Sequence, residues 1–225
     1  MPTVDVTNSK VASASGAPTS LTIPNHSIVA GSNRVLMVVA GSGDTGHEVP
    51  TGVTWNGIAM TLVPSSYASA AAWCGVSLWY LLEASLSTAT ADVVITWAAT
   101  PQDLVGGVSF VVTDVDQVTP FGTANTGTGA SATASAAISS ASGEVVIGGI
   151  SSDSEGSINE TGTLIQKVLN VNFDSSFGAQ YYSGASSVTI QWGQANTNWA
   201  VSGVSLKPAG GGGPPPSPLW AQSVM

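Results

Sequence analysis

Trp73–Leu82, WCGVSLWYLL, is the longest nearly unbroken apolar run in the chain and holds two of its seven Trp residues. It falls well short of the ~20 residues needed to cross a bilayer as a helix. Its aromatic and β-branched content predicts a strand, and the flanking Ala, Ser and Gly supply no helical stripe. At period two, Trp73, Gly75, Ser77, Trp79 and Leu81 share one face, and Cys74, Val76, Leu78, Tyr80 and Leu82 share the other. Both faces carry bulky apolar groups, so this strand belongs in the middle of a sheet covered on both sides.

Outward from this run the same texture repeats. Short apolar runs alternate with Gly, Asn, Asp, Ser and Pro clusters, and no window carries a capped helical period. The reading places strands at Val4–Ala12, Leu21–Ile23, Arg34–Ala40, Gly52–Trp55, Met60–Val63, Ala72–Leu82, Ala91–Trp97 and Gly107–Thr113. Further strands are expected at Ala132–Ile138, Glu144–Ser151, Gly162–Leu169, Phe177–Ser183, Ser187–Trp192 and Trp199–Leu206. Asn56-Gly57 between two such runs predicts a type I′ hairpin, because both central positions need positive φ. Gly41–Pro50 and Ser151–Glu160 read as polar loops. Gly75–Leu78, Gly107–Phe110 and Gly203–Leu206 share the pattern Gly-Val-Ser-Leu/Phe at irregular spacing, which is no solenoid signature. The expectation is three strands in similar surroundings, with Val and Leu or Phe inward and Gly relieving crowding.

The sum is an all-β antiparallel sandwich, jelly-roll-like, of about ten to fourteen short strands, in a single domain over residues 1–208. Residues 209–225 form a separate segment. Four consecutive Gly give a flexible joint, Pro214, Pro215 and Pro216 a stiff extension, and Leu219-Trp220 an aromatic end. That order resembles a tethered anchor, and Leu219, Trp220 and the three prolines are the candidate partner-binding residues.

Charged residues make up 8% of the chain, only four are basic, and the formal net charge is -9. Lys10, Arg34, Lys167 and Lys207 are too few to neutralise a phosphate backbone, so no nucleic-acid partner is expected. An anionic membrane surface is disfavoured on the same ground. Met1–Lys10 lacks a basic region followed by an apolar core, which predicts no secretory signal. Cys74 is the lone cysteine, so no intrachain disulfide forms. A reducing site of synthesis combined with a Ser/Thr/Gly-rich, charge-poor surface fits a phage particle, assembled in the host cytoplasm and released by lysis.

Catalytic raw material is scarce. The two His residues, His26 and His47, show no zinc spacing, and no GxSxG elbow, P-loop or GxGxxG occurs. A Ser-His-Asp set assembled from distant positions stays open at this level. Cys74, inside the most apolar strand, reads as a small buried hydrophobe. Asp44, His47 and Glu48 read as loop polarity. Asp114 with Asp116, and Asp153 with Glu155, have the alternation of calcium loops without the full DxDxDG pattern, so no cofactor is assigned and calcium is a minor alternative. Trp192, Trp199, Tyr181 and Tyr182 are candidates for a sugar-stacking platform, with core packing preferred.

Several stretches carry a family likeness. They are Val53–Gly57 with Met60–Val63, Val76–Leu82, Val108–Phe110 with Val115–Gln117 and Thr119–Gly122, and the closing Trp199–Ala209. Over roughly residues 30 to 209 the chain resembles a widespread group of β-sandwich proteins of tailed phages and environmental bacteria. The resemblance rests on turns and strands and implies fold and virion context, with no catalytic residues. The expectation is a non-enzymatic virion protein: a capsid decoration (cement) protein on the virion surface, oligomeric, with the major capsid protein as partner. A phage tail or fibre protein, or a secreted extracellular adhesin that binds glycans or polymerises by strand exchange, is the alternative.

Overall fold

Period-two alternation, interrupted by turn residues, does what it predicts: the chain folds into stacked antiparallel sheets. The structure is a computed structural model that describes residues 1–16, 18–43, 49–70, 74–98, 104–154, 156–170 and 175–210. Its first half contains β1 (Thr3–Ser15), β2 (Ser20–Ser27), β3 (Val35–Gly43), β4 (Gly52–Trp55), β5 (Ile58–Ala59), β6 (Thr61–Leu62), β7 (Ala68–Ala70), β8 (Cys74–Leu82), β9 (Thr90–Thr96) and β10 (Leu104–Thr113). The second half contains β11 (Asn125–Ser139), β12 (Val145–Ser152), β13 (Ile158–Glu160), β14 (Thr163–Asn170), β15 (Ser175–Ser183) and β16 (Ser187–Leu206). A single 3-10 turn, Glu83–Ser85, is the helical element among the described residues.

The two halves have the same plan. The inner sheet of the first half runs β1-β10-β3-β8-β6, with β7 also on β8, and that of the second runs β11-β16-β12-β15-β14. In each, the first strand of the half lies beside the last, which lies beside β3 or β12, then β8 or β15. Even the register matches. Gly107, Val108 and Phe110 face Ala40, Val39 and Met37, while Gly203, Val204 and Leu206 face Gly148, Ile147 and Val145. The first half adds an outer sheet, β2-β9-β4-β5. The second half makes its outer layer by folding long strands over. The β11–β16 ladder shifts register between Ser131 and Thr133, and β13 pairs with β16, Glu160 opposite Trp192. Beyond that shift, Ile138 and Ile190 lie over Gly203, and Ile190 over Gly148.

Four layers therefore enclose three cores. The central core joins the two inner sheets through Met37, Val39, Leu78, Phe110, Ile147 and Val204. An outer core packs Leu36, Val38 and Trp79 against Ile23, Trp55 and Ile95. The third sets Val146, Ile150 and Val201 against Ile138, Ile190 and Trp192. The repeated Gly-Val-Ser-Leu/Phe segments lie on β8, β10 and β16, and in each the Val and the Leu or Phe enter the central core. Gly107 and Gly203 face outward, where a Cβ would lie 2.6 Å from Ile95 Cδ1 and 2.9 Å from Ile138 Cδ1. Between the inner sheets the Phe177 ring fills a socket formed by the cross-strand pair Gly41 and Gly106. A Cβ on either glycine would overlap the ring.

All fourteen expected strands have counterparts, with three departures. Ser187–Trp192 and Trp199–Leu206 are one strand, because the polar link crosses a register shift and rejoins the ladder where Thr197 pairs with Ser131. The very short β5, β7 and β13 carry too little pattern to be read. Leu21–Ile23 continues through Pro24 to Ser27, since a bulge between Ile23 and His26 absorbs the proline. The Asn56-Gly57 turn has φ of 51° and 74°, as type I′ requires. Trp73 and Ala72 lie outside the described residues, and the strand that opened the reading begins at Cys74. Of the expected polar loops, β3 extends to Gly43 and residues 44–48 fall outside the description, whereas 151–160 contains the end of β12 and all of β13.

Candidate functional site

The reactive side chains are mostly spent on holding the layers. His26, on β2, is fully buried, and its Nδ1 lies 2.8 Å from the equally buried Ser109 Oγ of β10. Burial, with Lys10 nearby, pushes the imidazole down to about 4, while Asp5 acts weakly the other way. A Ser-His pair thus exists, but between an inner and an outer sheet with no surface for substrate. Its geometry is that of a buried hydrogen bond.

Cys74 is also buried, its Sγ 3.5 Å from the Asn198 carbonyl, and burial raises the thiol to about 12, with the Asp153 carboxylate adding to the rise. Iodoacetamide at pH 8 should therefore leave native Cys74 unmodified, because raising the pKa from 9 to about 12 cuts the thiolate on the order of 10³-fold. Mass spectrometry before and after denaturation checks this, and native labelling at the rate of a free thiol would contradict it.

Arg34 makes a forked pair with Glu83: Nε donates to Oε2 at 2.9 Å and a terminal nitrogen to Oε1 at 2.6 Å. The Glu83 N–H donates to Gln117 Oε1, so three loops are tied together. Hydrogen bonding to Arg34 holds the Glu83 carboxyl below its ordinary value. Lys167 donates to Glu160 at 2.8 Å. Asp116 accepts the Val118 and Thr119 N–H groups at 2.7 and 3.0 Å, which lowers its pKa, chiefly through Thr119. That carboxylate is closing a turn. Asp114 sits beside it with φ of 58°. Asp153 accepts from Thr197 Oγ1 at 3.2 Å, and Glu155 lies outside the described residues. No three His, Cys, Asp or Glu side chains converge among the described residues. Asp44, His47 and Glu48 are not among them.

The aromatic candidates sort into core and border. Trp192 is fully buried and Trp199 nearly so. Tyr182 packs on the third core, and its hydroxyl accepts the Gln191 N–H at 3.0 Å. Tyr181 packs on the central core.

The concave feature that the sequence reading missed is an open apolar groove of about 500 Å³ at the junction of the two halves. Pro64, Ser65 and Tyr80 come from the first half, residues 119–124 from the connection, and Lys207 from the end of the second. Tyr80 and Phe121 meet edge to face, with centroids 4.7 Å apart. Val118, one residue before the lining residue Thr119 in the chain, is 89% exposed. The lining is scattered over more than 140 positions of chain, so only folding makes it visible. Nearby, the segment that follows β16 is fastened. Lys207 N–H donates to Pro120 O, Asp116 N–H to Lys207 O and Ala209 N–H to Asp114 O at 2.7 Å. The anchor candidates Pro214, Pro215, Pro216, Leu219 and Trp220 lie outside the described residues.

Fold and groove define a class: a multilayered all-β protein with antiparallel sandwich-like layers, an inward-turned set of reactive groups, and an aromatic groove beside the fastened end of β16. The sequence matches no protein-family model, and no curated protein is similar to it.

Proposed function

We propose that this is a non-enzymatic structural protein of a phage particle, a decoration protein that sits on the capsid surface and is held there by its body together with its C-terminal segment. The observation that carries this reading is where the chemistry-bearing side chains go. His26, Ser109, Cys74, Arg34 and Glu83 are engaged in bonds and packing that hold loops and layers together. What faces outward is a Ser/Thr/Gly/Asn surface of low charge. The family likeness and the Gly/Pro segment ending in Leu219-Trp220 support the same reading.

The mechanism is attachment at two points. A body bound to the shell raises the local concentration of its tethered segment, so the second contact forms as an intramolecular event. The major capsid protein and neighbouring copies are the partners. Two of the sheet edges favour decoration over strand exchange. Edge strand β1 is bulged between Asp5 and Lys10, and edge strand β14 is tied to it, Gln166 donating to Ser9 Oγ at 3.1 Å.

Deleting Gly210–Met225 should weaken particle binding roughly 10²-fold while the body remains folded. Co-sedimentation with purified particles over a protein titration reads this out. Equal occupancy with and without the segment would refute the two-point attachment.

A further inference from the structure

We infer that the aromatic groove at the junction of the halves is the receptor for the chain's own C-terminal segment, Pro214–Trp220, and that in dilute solution each molecule occupies its own groove. Three observations meet here. The groove offers what a polyproline segment needs: a Tyr80–Phe121 pair set edge to face at 4.7 Å, with Pro64 and Pro120 in the same lining. Stiff Pro-rich segments dock in aromatic-lined grooves of this kind because little conformational entropy remains to be lost. The segment outside the described residues has the matching chemistry, with Pro215 and Pro218 spaced as P-x-x-P and followed by Leu219-Trp220. The distance is short. Lys207 itself lines the groove, Ala209 is pinned to Asp114, and the intervening Gly210–Gly213 can reverse the chain. From Pro214 to Trp220 a polyproline path spans roughly 20 Å at about 3.1 Å per residue.

A tether this short sets a millimolar effective concentration, far above that of free protein, so the groove of the same copy fills first. The same groove exists on every copy, so crowding on a particle allows the segment to be exchanged at little cost. This inference shares with the proposed function only the reading of residues 214–220 as a binding segment, and its test needs no particle.

The test is nuclear magnetic resonance on the full-length protein. Docking predicts cross-relaxation between Trp220 or Pro218 protons and the rings of Tyr80 or Phe121. It also predicts a Trp220 backbone order parameter near that of the strands, about 0.85, instead of below about 0.6. Thr123→Arg, an exposed change on the groove wall, and separately Trp220→Ala should each abolish the contacts while the strand resonances stay in place. Mixing labelled with unlabelled protein assigns the copy: contacts within one molecule support the inference, and contacts only between molecules overturn its solution form. A freely moving Trp220, or contacts that survive Thr123→Arg, overturn the groove assignment. If docking holds but particles do not bind the protein, only the proposed function fails.

Discussion

Phe177→Ala is expected to lower the stability of the protein by ~3–5 kcal/mol, the usual range for emptying a buried aromatic site. Phe177 is 2% exposed, and its ring is the knob by which the second inner sheet enters the first. The socket walls are the backbones of Gly41 and Gly106, which have no side chains to relax into the space. The cavity should therefore persist, which places the cost toward the upper end of the range. The reverse change makes the same point. Gly106→Val puts a branched side chain where the ring lies, and overpacking of this sort typically costs ~1–3 kcal/mol, more where backbone must move. Combining Gly106→Val with Phe177→Ala should cost less than the sum of the two, because each change removes what the other collides with or leaves empty. Urea unfolding of the four proteins measures this, and a Phe177→Ala loss below ~1 kcal/mol would show that the two inner sheets do not depend on this contact.

Acidification provides the second large effect. The unfolded His26 takes up a proton near 6.5, whereas the buried, folded imidazole resists protonation until about 4. Between those values the unfolded state binds more protons, so stability falls as pH falls, and the full loss is about 3 kcal/mol. Below about 4 both states are protonated at this site and its contribution is exhausted. Glu83 and Glu160, whose carboxyls are held below their ordinary values, act in the same direction but in a more acidic window. Thermal melts from pH 7.5 to pH 4.5 should show a continuous decline for the natural protein and a flatter profile for His26→Gln. The same slope in both would show that His26 is not the group responsible.

Much of the fold was legible because its signals are local. The Asn56-Gly57 turn, the two-sided apolar run at Cys74–Leu82 and the inward Val and Leu or Phe of the repeated segments can each be read within ten residues. The repeated Gly-Val-Ser-Leu/Phe pattern on β10 and β16 was also the visible trace of the two-fold plan, since those segments hold the same register in the two halves. The plan itself was hidden because it lies in strand order, which no local pattern encodes. The break read at Gly193–Asn198 failed for a related reason: a polar stretch can stay in a ladder when its partner strand bends with it.

The site was less legible. Nothing near His26 in sequence announces Ser109, which is 83 residues away, and nothing around Phe121 announces Tyr80 or Lys207. Residues whose role depends on long-range packing are silent in a single sequence. The candidate anchor is the opposite case: its composition is loud at residues 210–220, whereas the groove that suits it emerges only from the fold.

Reconstruction by electron cryomicroscopy of particles made by the genome that encodes this chain would settle its role most directly. The account predicts density for a four-layer sandwich at symmetry-related positions over the shell, with an additional contact from residues 210–225 at each copy. Particles that lack the protein altogether, or that carry it only at the tail, would contradict it.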